Sequence, residues 1–221
     1  MTMNDTKRRF ELIVFDWDGT LVDSEEQIVD SMLAACADLS MAPPTREAIK
    51  DIIGLGLPEA LDALFPGTGP EVRLCITDTY RRHFLGTAMP SKLFPGVQDT
   101  LHELYGQGYL LAIATGKGRR GLDRSLAETG LEDLFHATRC ADESFSKPHP
   151  QMLLDLLECL GVEPAHTLMV GDTEYDMQMA GNAGTASLAV GYGVHHEQRL
   201  LRHNPLGCIN AIADIKQWLS Y

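Results

Sequence analysis

Short, almost unbroken apolar runs recur along the chain, and most are followed by segments of helical period. Residues 12–15 form the first run, 109–114 the second and 135–138 a weaker third. Runs at 167–170, 187–190 and 208–210 complete the series. Runs this short and this apolar predict strands buried on both faces. Their alternation with helices predicts an α/β fold, a Rossmann-like parallel sheet with helices on both sides.

Residues 21–92 break that rhythm. They contain no convincing strand and instead predict helices over 25–39, 45–53, 57–64 and 70–85. Ile28, Met32, Cys36 and Leu39 keep helical spacing, so this interval has an apolar face of its own to bury. Pro43-Pro44, Pro66-Gly67 and Pro95-Gly96 punctuate it. The pattern predicts a core built from 1–20 and 93–221, with 21–92 inserted as a helical cap domain. A chain of 221 residues accommodates one such domain and its insertion. A short helix over 213–219, anchored by Trp218, closes the pattern.

Composition narrows the function. A formal charge of −13 argues against a nucleic-acid partner, which calls for a basic face. No segment has the length of a membrane span. The apolar run behind Lys7–Arg9 is too short for a signal peptide and ends in acids, which predicts a cytoplasmic protein. Five cysteines form no C-x-x-C pair, which predicts free, buried thiols.

The chemistry gathers where each strand ends, the position at which open parallel sheets place their functional groups. Asp16 and Asp18 follow the first strand and Thr115-Gly116-Lys117 the second. Lys147 follows the third, while Gly171-Asp172 ends the fourth with Asp176 four residues on. A lone D-x-D is a weak signal, and Asp172 alone could cap a helix. Four strand ends with acids, a hydroxyl and a lysine suit phosphoryl transfer assisted by a hard cation such as Mg²⁺. One carboxylate can attack phosphorus and a second can move the proton. Residues i and i+2 of an extended segment share a side, which predicts that Asp16 and Asp18 face the same way. Gly19 allows a sharp turn, and Thr20 can hydrogen-bond within it.

Two other features compete. Gly116–Gly121 matches G-x-G-x-x-G, but it follows the second strand, carries three cationic residues and lacks a suitable acid at the next strand end. What survives is the expectation that the N–H groups of the following helix hold phosphate. His195 and His196 lack partners at ligand spacing and predict a solvated loop.

With these residues in place, FDWDGTLVDS, ATGK, Lys147-Pro148 and GDTEYD resemble the four ordered motifs of the haloacid dehalogenase superfamily. The resemblance runs from about Phe10 to Trp218, and the chain is most similar to its phosphoglycolate phosphatase-like hydrolases. It implies Asp16 as nucleophile and Asp18 as general acid/base, with the Asp18 main-chain carbonyl on Mg²⁺. It implies Thr115 and the Gly116 N–H as phosphate donors, with Lys147 stabilising charge. It further implies that Asp16 and Asp172 ligate Mg²⁺, with Thr20 and Asp176 in support. Superfamily dehalogenases lack an acid at the position of Asp18. Relatives often carry Asn where this chain has Gly116.

The expected reaction is hydrolysis of a small phosphorylated metabolite by a monomer or homodimer. A sugar phosphomutase of the same superfamily is the enzymatic alternative. A phospho-aspartate signalling module is the non-enzymatic one. The helical insertion is expected to hinge at 21–24 and 86–95. Arg46, Lys50, Arg81, Arg82 and His83 are its candidate contacts to an anionic substrate. Residues 52–56 are a candidate substrate-facing loop.

Overall fold

The computed structural model describes residues 8–86 and 90–219. Lys7 and part of the second hinge, Thr87 to Met89, lie outside the described residues. Six strands form one sheet: β1 (Leu12–Phe15), β2 (Leu110–Thr115), β3 (Ala137–Cys140), β4 (Thr167–Gly171), β5 (Ala186–Val190) and β6 (Cys208–Ile209). Their order is β3-β2-β1-β4-β5-β6, and every neighbouring pair is parallel.

Alternation along β1 explains the layers. Ile13 and Phe15 point into a cluster with residues of α5 (Val97–Gly106) and α6 (Arg119–Thr129). Leu12 and Val14 point the other way, onto α7 (Gln151–Leu160) and α8 (Glu174–Ala183). Both faces of the sheet are therefore dry, and the strands contain no exposed polar row. The chain moves outward from β1 to β3 and then returns to β4 on the other side of β1. That reversal opens a crevice beyond the carboxyl ends of β1 and β4.

Between β1 and α5 lie α1 (Glu25–Asp38), α2 (Arg46–Asp51), α3 (Leu57–Leu64) and α4 (Pro70–Gly86). Val29, Met32, Cys36, Ile49, Leu61 and Ile76 form a cluster distinct from those of the sheet. The two connections to this helical unit run side by side. The Asp23 N–H donates to Lys92 O at 2.8 Å, and the Phe94 N–H donates to Leu21 O at 3.0 Å. A short α9 (Glu197–Leu200) and α10 (Lys216–Leu219) complete the α-helices among the described residues. The Trp218 ring lies against Gly207, where an added Cβ would approach it to 2.2 Å.

Some expectations need correction. The third strand begins two residues later than expected, at Ala137, because residues 132–134 form a 3-10 turn that Phe135 closes while packing edge-on against Trp17. The alternation in β3 is weak because it is an edge strand. Helix α5 was absent from the predicted elements, although Val97, Leu101 and Leu104 keep helical spacing and are fully buried. The five cysteines are free, but they are not uniformly buried: Cys75 and Cys159 are exposed.

Candidate active site

Strand β1 delivers Asp16 into the crevice, where its N–H donates to Val170 O across the sheet at 2.9 Å. The loop after β3 brings in Lys147, whose side chain is completely buried. Its Nζ donates to Asp16 Oδ1 and to Asp176 Oδ1, each at 2.6 Å. Burial alone would lower the lysine pKa, but these two carboxylates outweigh it and raise the value. Asp176 has no freedom left. Its Oδ2 accepts the Thr173 N–H at 3.0 Å and hydroxyl at 2.7 Å, forming a capping box at the start of α8. Asp176 thus holds Lys147 in place.

Asp172 lies at the end of β4, fully buried. Thr20 Oγ1 donates to its Oδ1 at 2.8 Å, and the Val194 N–H donates to its Oδ2 at 2.9 Å. Two glycines make room for it: a Cβ on Gly19 or Gly193 would come within 2.2 Å of an Asp172 atom. Gly19 also has φ +84°, which lets the chain turn immediately after the acids. Burial, followed by the charge of Asp176, pushes the Asp172 carboxyl up to about 7. Burial likewise raises Asp16 well above the usual range, despite Lys147.

Asp16, Asp172 and Asp176 each place an oxygen within 4.8 Å of the others. Three ionised carboxylates and one ammonium would leave two negative charges in a dry site, which is costly without a counter-ion. Asp16 Oδ2 is buried and has no hydrogen-bond partner. A hard divalent cation fits both facts, since it binds through carboxylate oxygen and supplies the missing charge. Asp16 and Asp172 could hold it.

The Asp18 side chain is directed elsewhere. Its Oδ1 accepts the Ser24 hydroxyl at 2.6 Å and lies 3.0 Å from Lys117 Nζ. The ammonium of Lys117 sits 4.4 Å from the centroid of Phe84 on α4, a cation–π contact. Sequence reasoning placed Lys117 at a strand end without assigning it a role. Its partner Phe84 comes from the helical insertion, and no local signal connects them.

Asp16, Asp18, Thr115 and Gly116 line one cavity of about 760 Å³ between the sheet and the helical unit. Thr115 is fully buried, and its Oγ1 accepts the Lys117 N–H at 3.1 Å. The loop 52–56 closes on this point. A Cβ at position 116 would come within 2.5 Å of the Gly54 and Leu55 carbonyl oxygens. The Gly56 N–H donates to Ser146 Oγ at 2.7 Å. Gly116 therefore has a packing reason: the backbone of another unit lies where a side chain would begin.

The expected phosphate site at the start of α6 is already occupied. Asp142 accepts the Arg119 N–H through Oδ1 and Oδ2, at 2.9 and 3.2 Å, and so supplies the anion that this helix end attracts.

His195 also needs correction, since it is buried rather than solvated. Its Nδ1 accepts the Glu174 N–H at 3.1 Å, so Nε2 carries the proton, facing Asp51 O at 3.3 Å. Burial lowers its pKa, and nearby Arg199 acts in the same direction. The Tyr175 hydroxyl donates to Asp51 O at 2.9 Å, and Arg199 ion-pairs with Asp51 and Glu174. These contacts fasten the end of α2 to the sheet domain.

The candidate cations of the insertion divide into two sets. Arg81 and Arg82 line the cavity and are exposed, Arg82 also lying 3.6 Å from Asp38. Arg46 pairs with Asp30, Lys50 with Glu25 and His83 with Asp38, at 2.8, 2.5 and 2.8 Å, and these three do not line it.

A Rossmann-like sheet with a buried acid cluster, a lysine and a strand-end hydroxyl at its switch point suits phosphoryl chemistry. The family model for haloacid dehalogenase-like hydrolases matches residues 13–190, and the chain belongs to that family. It is 37% identical over 210 residues to the protein named "Probable phosphatase IndB" of Dickeya dadantii (strain 3937), covering 92% of this chain and 91% of that one. It is 33% identical over 209 residues to a phosphoglycolate phosphatase of Haemophilus influenzae (strain 86-028NP), covering 89% and 92%. A crystal structure of "a predicted phosphoglycolate phosphatase" from Haemophilus somnus 129pt superposes with a TM-score of 0.84 at 27% identity, covering 95% of this chain and 98% of that one. The chain is a phosphatase-class hydrolase.

Proposed function

We propose that this enzyme is a Mg²⁺-dependent phosphomonoester hydrolase that works through an aspartyl-phosphate. The observation that carries this reading is the unpartnered, buried Asp16 Oδ2 beside Asp172. Asp16 also lines the cavity shared with Asp18.

A bound Mg²⁺ supplies positive charge to the phosphoryl oxygens and to the carboxylates around them. An Asp16 carboxylate oxygen attacks phosphorus, and the bond from phosphorus to the leaving alcohol breaks. Asp18 gives its proton to that alcohol. It then takes a proton from water, which attacks phosphorus. The bond to Asp16 breaks, releasing inorganic phosphate. Lys147 keeps Asp16 oriented and offsets the charge that gathers on the phosphoryl group. Thr115 and the Gly116 N–H hold phosphoryl oxygens. An acid at position 18 supports this chemistry over carbon–halogen cleavage, which needs no proton for an alkoxide.

The insertion α1–α4 acts as a cap. It closes over the crevice and limits the access of bulk water. The substrate is a phosphorylated small molecule, the activity named for the Haemophilus relative being one of this type.

Phosphate release from a panel of monoesters, with Mg²⁺ and then with EDTA, tests the proposal. Asp16→Asn is expected to reduce turnover by roughly 10⁴-fold or more while the circular dichroism spectrum stays unchanged. Retained turnover in that variant would sink the mechanism. Isomerisation of a hexose 1-phosphate without free phosphate would favour a phosphomutase. A stable phosphoprotein without release would favour a signalling module.

A further inference from the structure

We propose that the preferred substrate is the phosphate ester of a bulky, largely apolar, ring-bearing alcohol, and that the cavity beside Asp18 is the site for that alcohol. This rests on the phosphatase reading and adds the class of leaving group.

Size is the first argument. The cavity measures about 760 Å³, within the range of roughly 300–1,000 Å³ that encloses drug-sized ligands. A two-carbon acid phosphate or pyrophosphate would fill a small part of it. The rest of the wall would stay wet, and its burial would contribute nothing to binding.

The chemistry of the wall is the second. Ile28 and Met32 of α1, Ile52 and Ile53 of the loop, and Ala60 of α3 are buried and line the cavity. Tyr80 and Phe84 of α4 line it as a stacked pair, centroids 5.7 Å apart and planes at 27°. Together they offer a flat ring something to lie against.

Asp18 and Lys117 lie 3.0 Å apart and engage one another, and the Lys117 ammonium is also engaged by the Phe84 ring. Gly116 contributes no side chain, and the carbonyls of Gly54 and Leu55 leave no room for one. Arg81, Arg82 and Arg120 line the cavity and are exposed, as are the acids Asp78 and Asp142 that line it with them. A small, multiply charged leaving group next to the transferred phosphate would therefore meet mostly hydrocarbon. An apolar body would meet surface that matches it, and the exposed charges would face any polar end that emerges.

The test uses unactivated esters, so that leaving-group chemistry varies little. Phosphate release is measured for ethyl, benzyl and 2-naphthylmethyl phosphate, alongside 2-phosphoglycolate and pyrophosphate, all with Mg²⁺. We expect kcat/KM to rise about tenfold or more with each added ring, in keeping with the apolar area buried. The two small anions should fall below benzyl phosphate. A second measurement uses Ala60→Phe, which fills the cavity from α3. The ratio of kcat/KM for the naphthylmethyl ester over the ethyl ester should drop at least tenfold. A circular dichroism melt reports whether that variant folds, and the wild-type series decides the matter if it does not. A flat series, or 2-phosphoglycolate or pyrophosphate as the best substrate, overturns the inference and leaves the phosphatase reading intact. Release from none of the five compounds overturns both.

Discussion

Lys147 and Asp16 show at the scale of single residues how burial converts charge into constraint. Each would be expensive alone in a dry site, and they persist because each completes the other. Lys147→Ala should strand Asp16 and Asp176 and destabilise the fold by about 3–5 kcal/mol, the usual cost of breaking a buried pair from one side. Urea unfolding in EDTA measures that loss, and Mg²⁺ should recover part of it. Asp172 predicts a pH dependence. Its carboxyl is raised from 3.8 to about 7 in the folded state, so the folded protein binds that proton more tightly than the unfolded chain. The stability this group contributes is present below pH 3.8 and is lost as pH rises through about 7. A Mg²⁺ held by Asp172, as proposed, displaces the same proton, so the gain in Tm from Mg²⁺ over EDTA should grow as pH rises through that window. Asp172→Asn should flatten the growth; an unchanged slope would assign the proton elsewhere.

At the scale of elements, loop 52–56 and the start of α8 decide how the helical unit meets the sheet. Gly116→Ala places a methyl group where the Gly54 and Leu55 carbonyl oxygens already sit. The loop should lift, and its amides should exchange with deuterium about tenfold faster. Unaltered exchange over 52–56 would mean the two backbones do not pack this closely in solution. Arg199→Ala removes an ion pair to Asp51 but leaves the Tyr175 and His195 contacts to the Asp51 carbonyl. Its effect on exchange should be in the same direction and smaller, since a half-exposed pair contributes about 1 kcal/mol or less. The four helices of this unit were legible from spacing alone, as Ile28, Met32 and Cys36 illustrate. Helix α5 was not, because its first residue follows Pro95-Gly96, a pair that reads as a turn.

For the whole molecule, ligand binding should couple the two parts. Orthovanadate, a phosphate mimic, bound in the presence of Mg²⁺ at about 100 times its Kd should stabilise the native state by roughly 2.7 kcal/mol. For a chain of this size that corresponds to a Tm rise of about 5–10 °C, and EDTA should abolish it. A rise that survives EDTA would detach the mimic from the metal site. The sequence by itself determined the alternation of strands and helices outside α5, the helical insertion, and the placing of Asp16, Thr115, Lys147 and Asp172 at or just beyond the strand ends. Those features are written in local periodicity and in short ordered motifs, each complete within a few residues. Only the tertiary structure decided that Asp18 faces Lys117 and that His195 is buried against Asp51. It alone placed Asp142 on the α6 N-terminus, and it alone produced the apolar cavity. Each of these depends on which distant surfaces meet and how much water they exclude, and no window along the chain contains both partners.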